Sequence, residues 1–264
     1  MNVFVEGVGV LGPGLCGWQS SRSILSGTAI YKEAPLAIPP NDLLPAAERR
    51  RTGLAVKIAL AVGCEAAAQS QRNASELPAI FASSAGEGEN MQAIFETLAS
   101  DAREISPTRF HNSVHNAPSG YWSIATRSMA PSISIACYDA SFAAGLIEAA
   151  TQAFTGNQAV VLMSYDAPYT QPLQAIRPIA AGFGIAMVIS GIKTNKSIAE
   201  LQISIKSSNL ISTPVASAEL DRLRLGIPAA RGLPVLAALA GASIHEINLD
   251  YVAGNGVEIR FKPC

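Results

Sequence analysis

The sequence has few charged residues and few aromatic ones. Only 15% of its 264 residues are Asp, Glu, Lys or Arg, and 6% are Phe, Trp or Tyr. Ordinary soluble domains carry about 25% charged residues, so we expect another chain to cover part of this surface. The formal net charge of −1 supplies no basic face for a phosphate backbone, which excludes nucleic acid as a main partner.

Long apolar runs, paired cysteines and metal-type histidine clusters are absent too. No segment reaches the ~20 apolar residues that a membrane span needs, and the opening MNVFVEGVGVLGPG lacks a signal peptide's basic start. His111 and His115 have no thiol or carboxylate close by, so we expect loop histidines and neither metal nor cofactor. The cysteines, none in a C-x-x-C pair, are Cys16, Cys64, Cys137 and Cys264. This scatter predicts reduced thiols in a cytoplasmic protein.

Apolar, β-branched runs alternate with helix-like segments along the chain. Strands are predicted at 2–5, 79–83, 132–136, 159–164, 184–190, 199–206, 245–252 and 256–261. Helices are predicted at 17–26, 47–70, 87–101, 117–128, 140–155 and 232–241. The alternation predicts a layered α/β/α domain with a mixed, mostly parallel sheet. Residues 35–45 and 207–232 are expected to be irregular connections.

The predicted helix 140–155 consists largely of small residues. Its small positions are Ala140, Ala143, Ala144, Gly145, Ala149, Ala150 and Ala153. Its polar groups form a narrow stripe of Ser141, Glu148, Gln152 and Thr155. A helix that is apolar nearly all round is buried, so this one is predicted to be a central helix.

A sharp corner, Ala-Cys-Tyr-Asp-Ala-Ser at 136–141, joins the strand 132–136 to this helix. Corners of this kind often present a nucleophile. A thiolate at a helix N-terminus is a good acyl acceptor, which makes Cys137 a candidate. Asp139 is a poor acceptor as a carboxylate, and an N-cap or another structural role suits it better. Packing of Cys137 in the core is the other interpretation.

Five segments in order resemble the β-ketoacyl synthases of the thiolase-like superfamily. They are VFVEGVGVLGPG, SSRSILSGTAI, FASSAGEGENM, RFHNSVHNAPSGYWSIATRSMAPSISIACYDAS and GNQAVVLMSYDAP. Their order and spacing over residues 1–190 carry the resemblance. It implies a single domain, 1–264, with a thiolase-like half-fold at 1–206 and an α-β-β tail at 207–264.

The same resemblance implies that the catalytic parts are missing. With Gly156 aligned to the glycine that closes the family's central helix, Asp139 takes the nucleophile position. Placing Cys137 there would need a two-residue insertion, which would rotate the helix by about 200°. Nothing resembles the family's H-G-T-G-T motif or its Gly-Phe-Gly-Gly-x-Asn loop, and the one late histidine is His245. We therefore expect no catalytic residue.

An inactive chain of this kind resembles a chain-length factor. Such a subunit pairs with an active, full-length ketosynthase and shapes the shared acyl tunnel during elongation on an acyl carrier protein. The half-length form with an A-Y-D-A-S corner resembles the variant associated with aryl polyene clusters. Here the corner is one residue longer, because Cys137 is inserted. The product class is expected to be a polyene, polyketide or fatty-acid-like chain.

The resemblance also implies which residues face the partner. Residues 109–128 would face it, and strand 132–136 would pair with it. The expected tunnel and interface residues are Phe110, Val114, Asn116, Tyr121, Trp122, Ile133, Ile135 and Tyr138. Ordinary packing is the alternative for the aromatic ones. Asn116 resembles the family's loop asparagine, which fixes the backbone around the turn.

Three arginines, Arg49, Arg50 and Arg51, open the predicted helix 47–70. Arginines at a helix N-terminus oppose the helix dipole. Docking of an acidic carrier protein is one explanation for them, and a solvated basic turn is the other.

Two other functions compete with the chain-length factor. A half-size acyltransferase or thioesterase would use Cys137 or Ser141 and predicts selective labelling of Cys137, but it lacks a histidine placed as a base. A free-standing homodimer that binds carrier protein predicts a stable homodimer that ignores the ketosynthase.

Overall fold

The computed structural model describes residues 1–40, 42–208, 210–252 and 254–264. Its strands are β1 (Asn2–Gly12), β2 (Leu15–Cys16), β3 (Ala79–Ala82), β4 (Ser132–Ile135), β5 (Ala159–Asp166), β6 (Phe183–Ser190), β7 (Ala199–Lys206), β8 (Glu246–Asp250) and β9 (Gly256–Pro263). Its helices are α1 (Trp18–Leu25), α2 (Ala46–Arg51), α3 (Leu54–Gln69), α4 (Gly88–Ala99), α5 (Pro107–His111), α6 (Ala117–Thr126), α7 (Ser141–Gly156), α8 (Leu173–Ile176), α9 (Ala218–Gly226) and α10 (Leu233–Ala240).

The fold has three layers, and the layered α/β/α prediction is confirmed. One sheet runs in the order β4-β3-β5-β6-β1-β7-β9-β8, with β2 beside β1. Helices α1, α7, α9 and α10 share a core with one face of the sheet. Helices α3 and α6 share a second core with the other face. Helix α7 is mostly buried, as its small residues predict.

The sheet is mixed, but the prediction that it is mostly parallel is wrong. Among the residues that the structure describes, only β4–β3 and β3–β5 pair in parallel, and the other pairings are antiparallel. A parallel pair needs a long crossover, usually through a helix. Helices α4 to α6 and then α7 supply such crossovers around β4. The connection from β5 to β6 holds only the four-residue helix α8, and β6 returns antiparallel.

The first strand is longer than the predicted 2–5 because its glycines lie against a helix. A Cβ atom on Gly9 would lie 2.1 Å from the carbonyl oxygen of Val62, and one on Gly7 would lie 2.2 Å from that of Ala66. Val62 and Ala66 are one turn apart on α3. The glycines therefore let the backbones of β1 and α3 touch, and the strand continues to Gly12.

The single predicted helix 47–70 is two helices, and the prediction is wrong at their junction. Thr52 and Gly53 have extended backbones between α2 and α3. The carboxylate of Glu87 accepts the N–H of Val56 at 3.1 Å in the first turn of α3, and burial raises the pKa of Glu87. The Glu87 carboxylate thus binds a free N–H group in the first turn of α3, although it lies about 30 positions later in the chain.

The tail is more regular than predicted. Within residues 207–232, helix α9 begins after Ser217, whose hydroxyl accepts the N–H of Leu220 at 3.3 Å. A 3-10 turn, Pro228–Gly232, follows. Strand β9 pairs with β7, and β8 pairs with β9. The tail therefore extends the sheet of the first 206 residues.

Candidate functional site

The corner between β4 and α7 contains a residue in the left-handed conformation. A 3-10 turn, Tyr138–Ala140, precedes α7, and Tyr138 has φ 51°. The Ser141 hydroxyl accepts the N–H of Cys137 at 3.0 Å and donates to the carbonyl of Tyr138 at 2.7 Å. A left-handed backbone costs about 1–2 kcal/mol in a residue other than glycine. Ser141 is therefore used to hold this turn.

Asp139 lies between two arginines, so of the two roles predicted for it, an N-cap or another structural role, the N-cap is wrong. Its carboxylate oxygens lie 2.7 Å from Arg177 and 3.3 Å from Arg231. Ala140 is the residue before α7, and no side chain caps the helix. The 3-10 turn displaces Asp139 from the capping position, and both guanidinium groups contact its carboxylate. Asp139 therefore has a structural role as an ion-pair partner.

The two arginines connect the corner to distant parts of the chain. Arg177, after α8, stacks its guanidinium 3.4 Å from the centre of the Tyr138 ring. Its Nη1 also lies 3.4 Å from the hydroxyl of Tyr169. Arg231, in the tail, also pairs with Asp250 of β8 at 3.0 Å. Neither arginine is predicted from the sequence, because no local motif marks a residue whose partner lies 38 or 92 positions away.

A buried carboxylate at the end of β5 helps to place Arg231. Asp166 accepts the N–H of Ser84 at 2.8 Å, the hydroxyl of Ser83 at 3.1 Å and the N–H of Ala229 at 2.8 Å. Burial raises the pKa of Asp166. Ala229 lies in the same 3-10 turn as Arg231, so Asp166 anchors the turn that carries this arginine.

The corner has no nucleophile–base pair in the part of the chain that the structure describes. Asp139 is held by two cations, and the Ser141 hydroxyl is used in the turn. The Nε2 of His115 lies 3.1 Å from the carbonyl of Ser83, and within the described ranges no hydrogen bond joins this imidazole to Cys137, Asp139 or Ser141. Acyl transfer by a serine or cysteine needs a base within hydrogen-bond reach of the nucleophile. The arrangement suits ion pairing and aromatic contact better than acyl chemistry.

The cysteines give a direct test of the enzyme alternative. Cys137 is half-buried, and burial raises its pKa, so little thiolate forms near pH 7. We expect iodoacetamide at pH 7 to label the exposed Cys16 and Cys264 first. Cys64, whose pKa burial raises to about 11, should react slowly. Peptide mass spectrometry over a time course measures the order, and labelling of Cys137 first would favour the enzyme.

A groove of about 610 Å³ lies between α5 and α6. It brings together four of the predicted interface residues. Its lining is Pro107, Phe110, His111, Val114, Asn116, Ala117, Gly120, Tyr121 and Ile124. Phe110 is 68% exposed and Val114 is 52% exposed. The groove is therefore an open, mainly apolar surface with aromatic groups at its wall.

Two predicted aromatic residues are in the core. Trp122 is 1% exposed, and its ring packs against Gly63 of α3. Trp122 therefore has the alternative role predicted for the aromatic residues, which is ordinary packing in the core. Tyr121 is also buried, but it lines the groove and donates its hydroxyl to Asn112 Oδ1 at 3.0 Å. Positions 121 and 122 both lie on the side of α6 that packs against α3.

The asparagine that fixes the backbone here is Asn112. Its Nδ2 donates to the carbonyl of Arg51 at 2.9 Å, and its Oδ1 accepts from Tyr121. Asn116 precedes α6 with its side chain exposed and makes no capping bond. The prediction that the Asn116 side chain fixes the backbone around this turn is therefore wrong. The segment HNSVHN holds both asparagines, and sequence spacing alone does not separate them.

Strand β4 forms one end of the sheet. Within the described ranges it pairs only with β3, which leaves its outer edge open. Ile133 is 39% exposed, and Ile135 is half-buried. An open edge with exposed apolar side chains can accept a strand from another chain.

The sequence also matches a family model. The model of the β-ketoacyl synthase N-terminal domain matches residues 18–225. The chain belongs to this family. No curated protein matches it in sequence.

Solved structures share the fold of this synthase domain. The ketosynthase ApeO in complex with its chain length factor ApeC, from Xenorhabdus doucetiae, matches with TM-score 0.73 and 20% identity, over 98% of this chain and 99% of that chain. A type II acyl carrier protein in complex with its ketosynthase, AntDE:AntF, matches with TM-score 0.75 and 12% identity, over 100% of this chain and 99% of that chain. The ishigamide ketosynthase/chain length factor matches with TM-score 0.67 and 12% identity, over 100% of this chain and 99% of that chain. The thiolase-like fold is thereby confirmed.

The arginines of this synthase domain are divided between two places. Arg50 and Arg51 line a second groove, of about 550 Å³, together with Lys57 and Arg109. Arg49 is outside the lining and pairs with Asp42 at 2.7 Å. All three arginines of the run lie in the last turn of α2, where the helix dipole favours cations. The expectation that they oppose a dipole is therefore wrong.

Two further observations concern membranes and metals. No helix among the described residues is both long and apolar enough to cross a membrane. Over the same residues, no group of three His, Cys, Asp or Glu side chains is placed to hold a metal ion.

Proposed function

We propose that this chain is a non-catalytic chain-length factor that pairs with a full-length ketosynthase. The observation that carries the proposal is the environment of Asp139, the residue that the resemblance assigns to the nucleophile position. Asp139 is held between Arg177 and Arg231 there, and no base accompanies it in the described part of the chain. A synthase-like domain that keeps the fold without an acyl acceptor suits a partner of an active subunit.

The exposed apolar residues between positions 110 and 138 support a partner on this side. They are Phe110, Val114, Ile124, Met129, Ile133 and Tyr138. The open edge of β4 lies in the same stretch and offers unpaired backbone groups for an intermolecular strand pair. The scarcity of charged residues in the whole chain agrees with a large covered surface. The solved complexes of a ketosynthase with its chain length factor provide precedent for such a pair.

The groove between α5 and α6 is the surface we assign to the acyl chain. A long acyl chain is apolar, and the groove is lined mainly by Phe110, Val114, Tyr121 and Ile124. Phe110 is the largest exposed side chain among them. We therefore assign it the role of limiting how far the chain extends. A polyene of the aryl polyene type is the product class we propose, from the corner motif.

The groove of Arg50, Arg51, Lys57 and Arg109 is the surface we assign to the acyl carrier protein. Its four cations face two carboxylates, Glu87 and Glu89, and Glu87 is buried at the start of α3. A net positive groove attracts an acidic partner. A solved complex of a type II acyl carrier protein with its ketosynthase provides precedent for such a partner. The four cysteines form no disulfide bond, which supports a cytoplasmic location for the protein.

Changing the size of Phe110 tests the function. With the ketosynthase, carrier protein and extender units present, Phe110→Ala is expected to lengthen the products by at least one extension unit, because the wall recedes. Phe110→Trp is expected to shorten them. Mass spectrometry of the carrier-bound products measures the length distribution.

Ile211→Ala is the matched control, since Ile211 is an exposed apolar residue in the tail. It should leave the distribution unchanged. An unchanged distribution in both Phe110 variants, within a complex that still elongates, would contradict the assigned role of the groove.

A further inference from the structure

Tyr138 is exposed although its backbone is strained. The residue is 63% exposed, and its φ of 51° is in the left-handed region. Strained backbones persist where the surrounding structure holds them, and they concentrate at functional sites. The exposure of Tyr138 in this conformation therefore indicates that its ring has a function at the surface of the protein.

Arg177 holds the ring from one side. Its guanidinium carbon lies 3.4 Å from the ring centre, within the usual range for a cation–π contact. Its Nη2 donates to Asp139 at 2.7 Å, and its Nη1 donates to Tyr169 at 3.4 Å. The side chain of Arg177 is 18% exposed. The arginine is thus fixed against one face of the ring.

Asp139 in turn fixes the arginine. It accepts from Arg177 through one oxygen and from Arg231 through the other. Arg231 is held by Asp250 at 3.0 Å. The Asp139 carboxylate thus orients the guanidinium group of Arg177. A neutral residue at position 139 would leave Arg177 and Arg231 without this ion pair.

The ring stands next to the partner surface already described. Tyr138 lies three residues after the end of β4, the strand with the open edge. Exposed tyrosines are common anchors in protein interfaces, because their rings are large and rigid. We propose that Tyr138 anchors the ketosynthase in the heterodimer, and that Arg177 and Asp139 are positioning residues which hold its ring for that contact. This inference rests on the proposed function and assigns specific residues to its interface.

A double-mutant cycle on the affinity for the ketosynthase tests the inference. Tyr138→Ala is expected to raise the Kd about tenfold, a typical cost at an interface anchor. Arg177→Ala is expected to raise it by a similar factor. If Arg177 acts only through the ring, the double variant binds as weakly as Tyr138→Ala alone, because the second change has nothing left to position.

Conservative variants separate positioning from folding. Arg177→Lys keeps the charge but loses the planar stack, so it should bind nearly as weakly as Arg177→Ala with little change in Tm. Asp139→Asn keeps the shape but loses the ion pairs, and it should weaken binding in the same direction. Arg260→Ala is the control, because Arg260 is exposed on β9, towards the other end of the sheet. It should bind as the unmodified chain does.

The outcomes separate this inference from the proposed function. If the unmodified chain does not bind the ketosynthase at all, the proposed function fails and the inference fails with it. If the unmodified chain binds and both Arg177 variants bind as tightly as the unmodified chain, only the inference is overturned. Additive losses in the double variant would also overturn it, since they would make Arg177 an independent contact.

Discussion

Replacing Gly9 by alanine is expected to lower the free energy of unfolding by about 3 kcal/mol, the upper end of the usual cost of overpacking. The new Cβ would lie 2.1 Å from the carbonyl oxygen of Val62 and 2.9 Å from its carbonyl carbon. Both atoms belong to the backbone of α3, so no side-chain rotation relieves the clash. Helix α3 would have to move away from β1, which lies in the middle of the sheet.

Urea unfolding followed by circular dichroism measures the loss. Gly120→Ala is the matched control, because an added Cβ there meets no atom within 4 Å. Gly120 lies inside α6, where alanine is favoured over glycine by about 1 kcal/mol, so this variant should be as stable as the original or more so. Equal stability of the two variants would contradict the close packing of α3 on β1.

Replacing Ile133 by aspartate is expected to weaken the ketosynthase complex about 100-fold, which corresponds to roughly 3 kcal/mol. Ile133 lies on the open edge strand β4 with part of its side chain exposed. Strand pairing with the partner would bury this side chain. An unpaired carboxylate in that place would lose its hydration without gaining a partner.

Isothermal titration calorimetry of the purified chains measures the change in Kd. Ile205→Asp provides the comparison, since Ile205 is a half-exposed isoleucine on β7, which is an interior strand of the sheet. Its effect on Kd should be less than twofold. If Ile133→Asp binds as tightly as Ile205→Asp, the partner does not use the edge of β4.

The elements of the fold follow from local patterns, and the directions of its strands do not. The β-branched runs and the small-residue helix α7 are where periodicity predicts them. The antiparallel return of β6 depends on the short connection through α8, which leaves no pattern in the strand itself. The break at Thr52 and Gly53 depends on Glu87, about 30 positions away, whose carboxylate binds the start of α3.

The candidate site divides in the same way. The exposed groove residues Phe110 and Val114 are in a segment that the resemblance identifies. Trp122 in the same segment is buried, because it lies on the side of α6 that packs on α3. The environment of Asp139 was beyond prediction, since Arg177 and Arg231 approach it only in the folded chain.

Native mass spectrometry tests the claim that this chain pairs with a ketosynthase. The chain is expressed with and without the full-length ketosynthase encoded nearest to it. We expect a one-to-one complex with the ketosynthase and poor solubility of the chain expressed alone. A stable homodimer that does not take up the ketosynthase would contradict the claim, and the homodimeric carrier-binding alternative would then replace it.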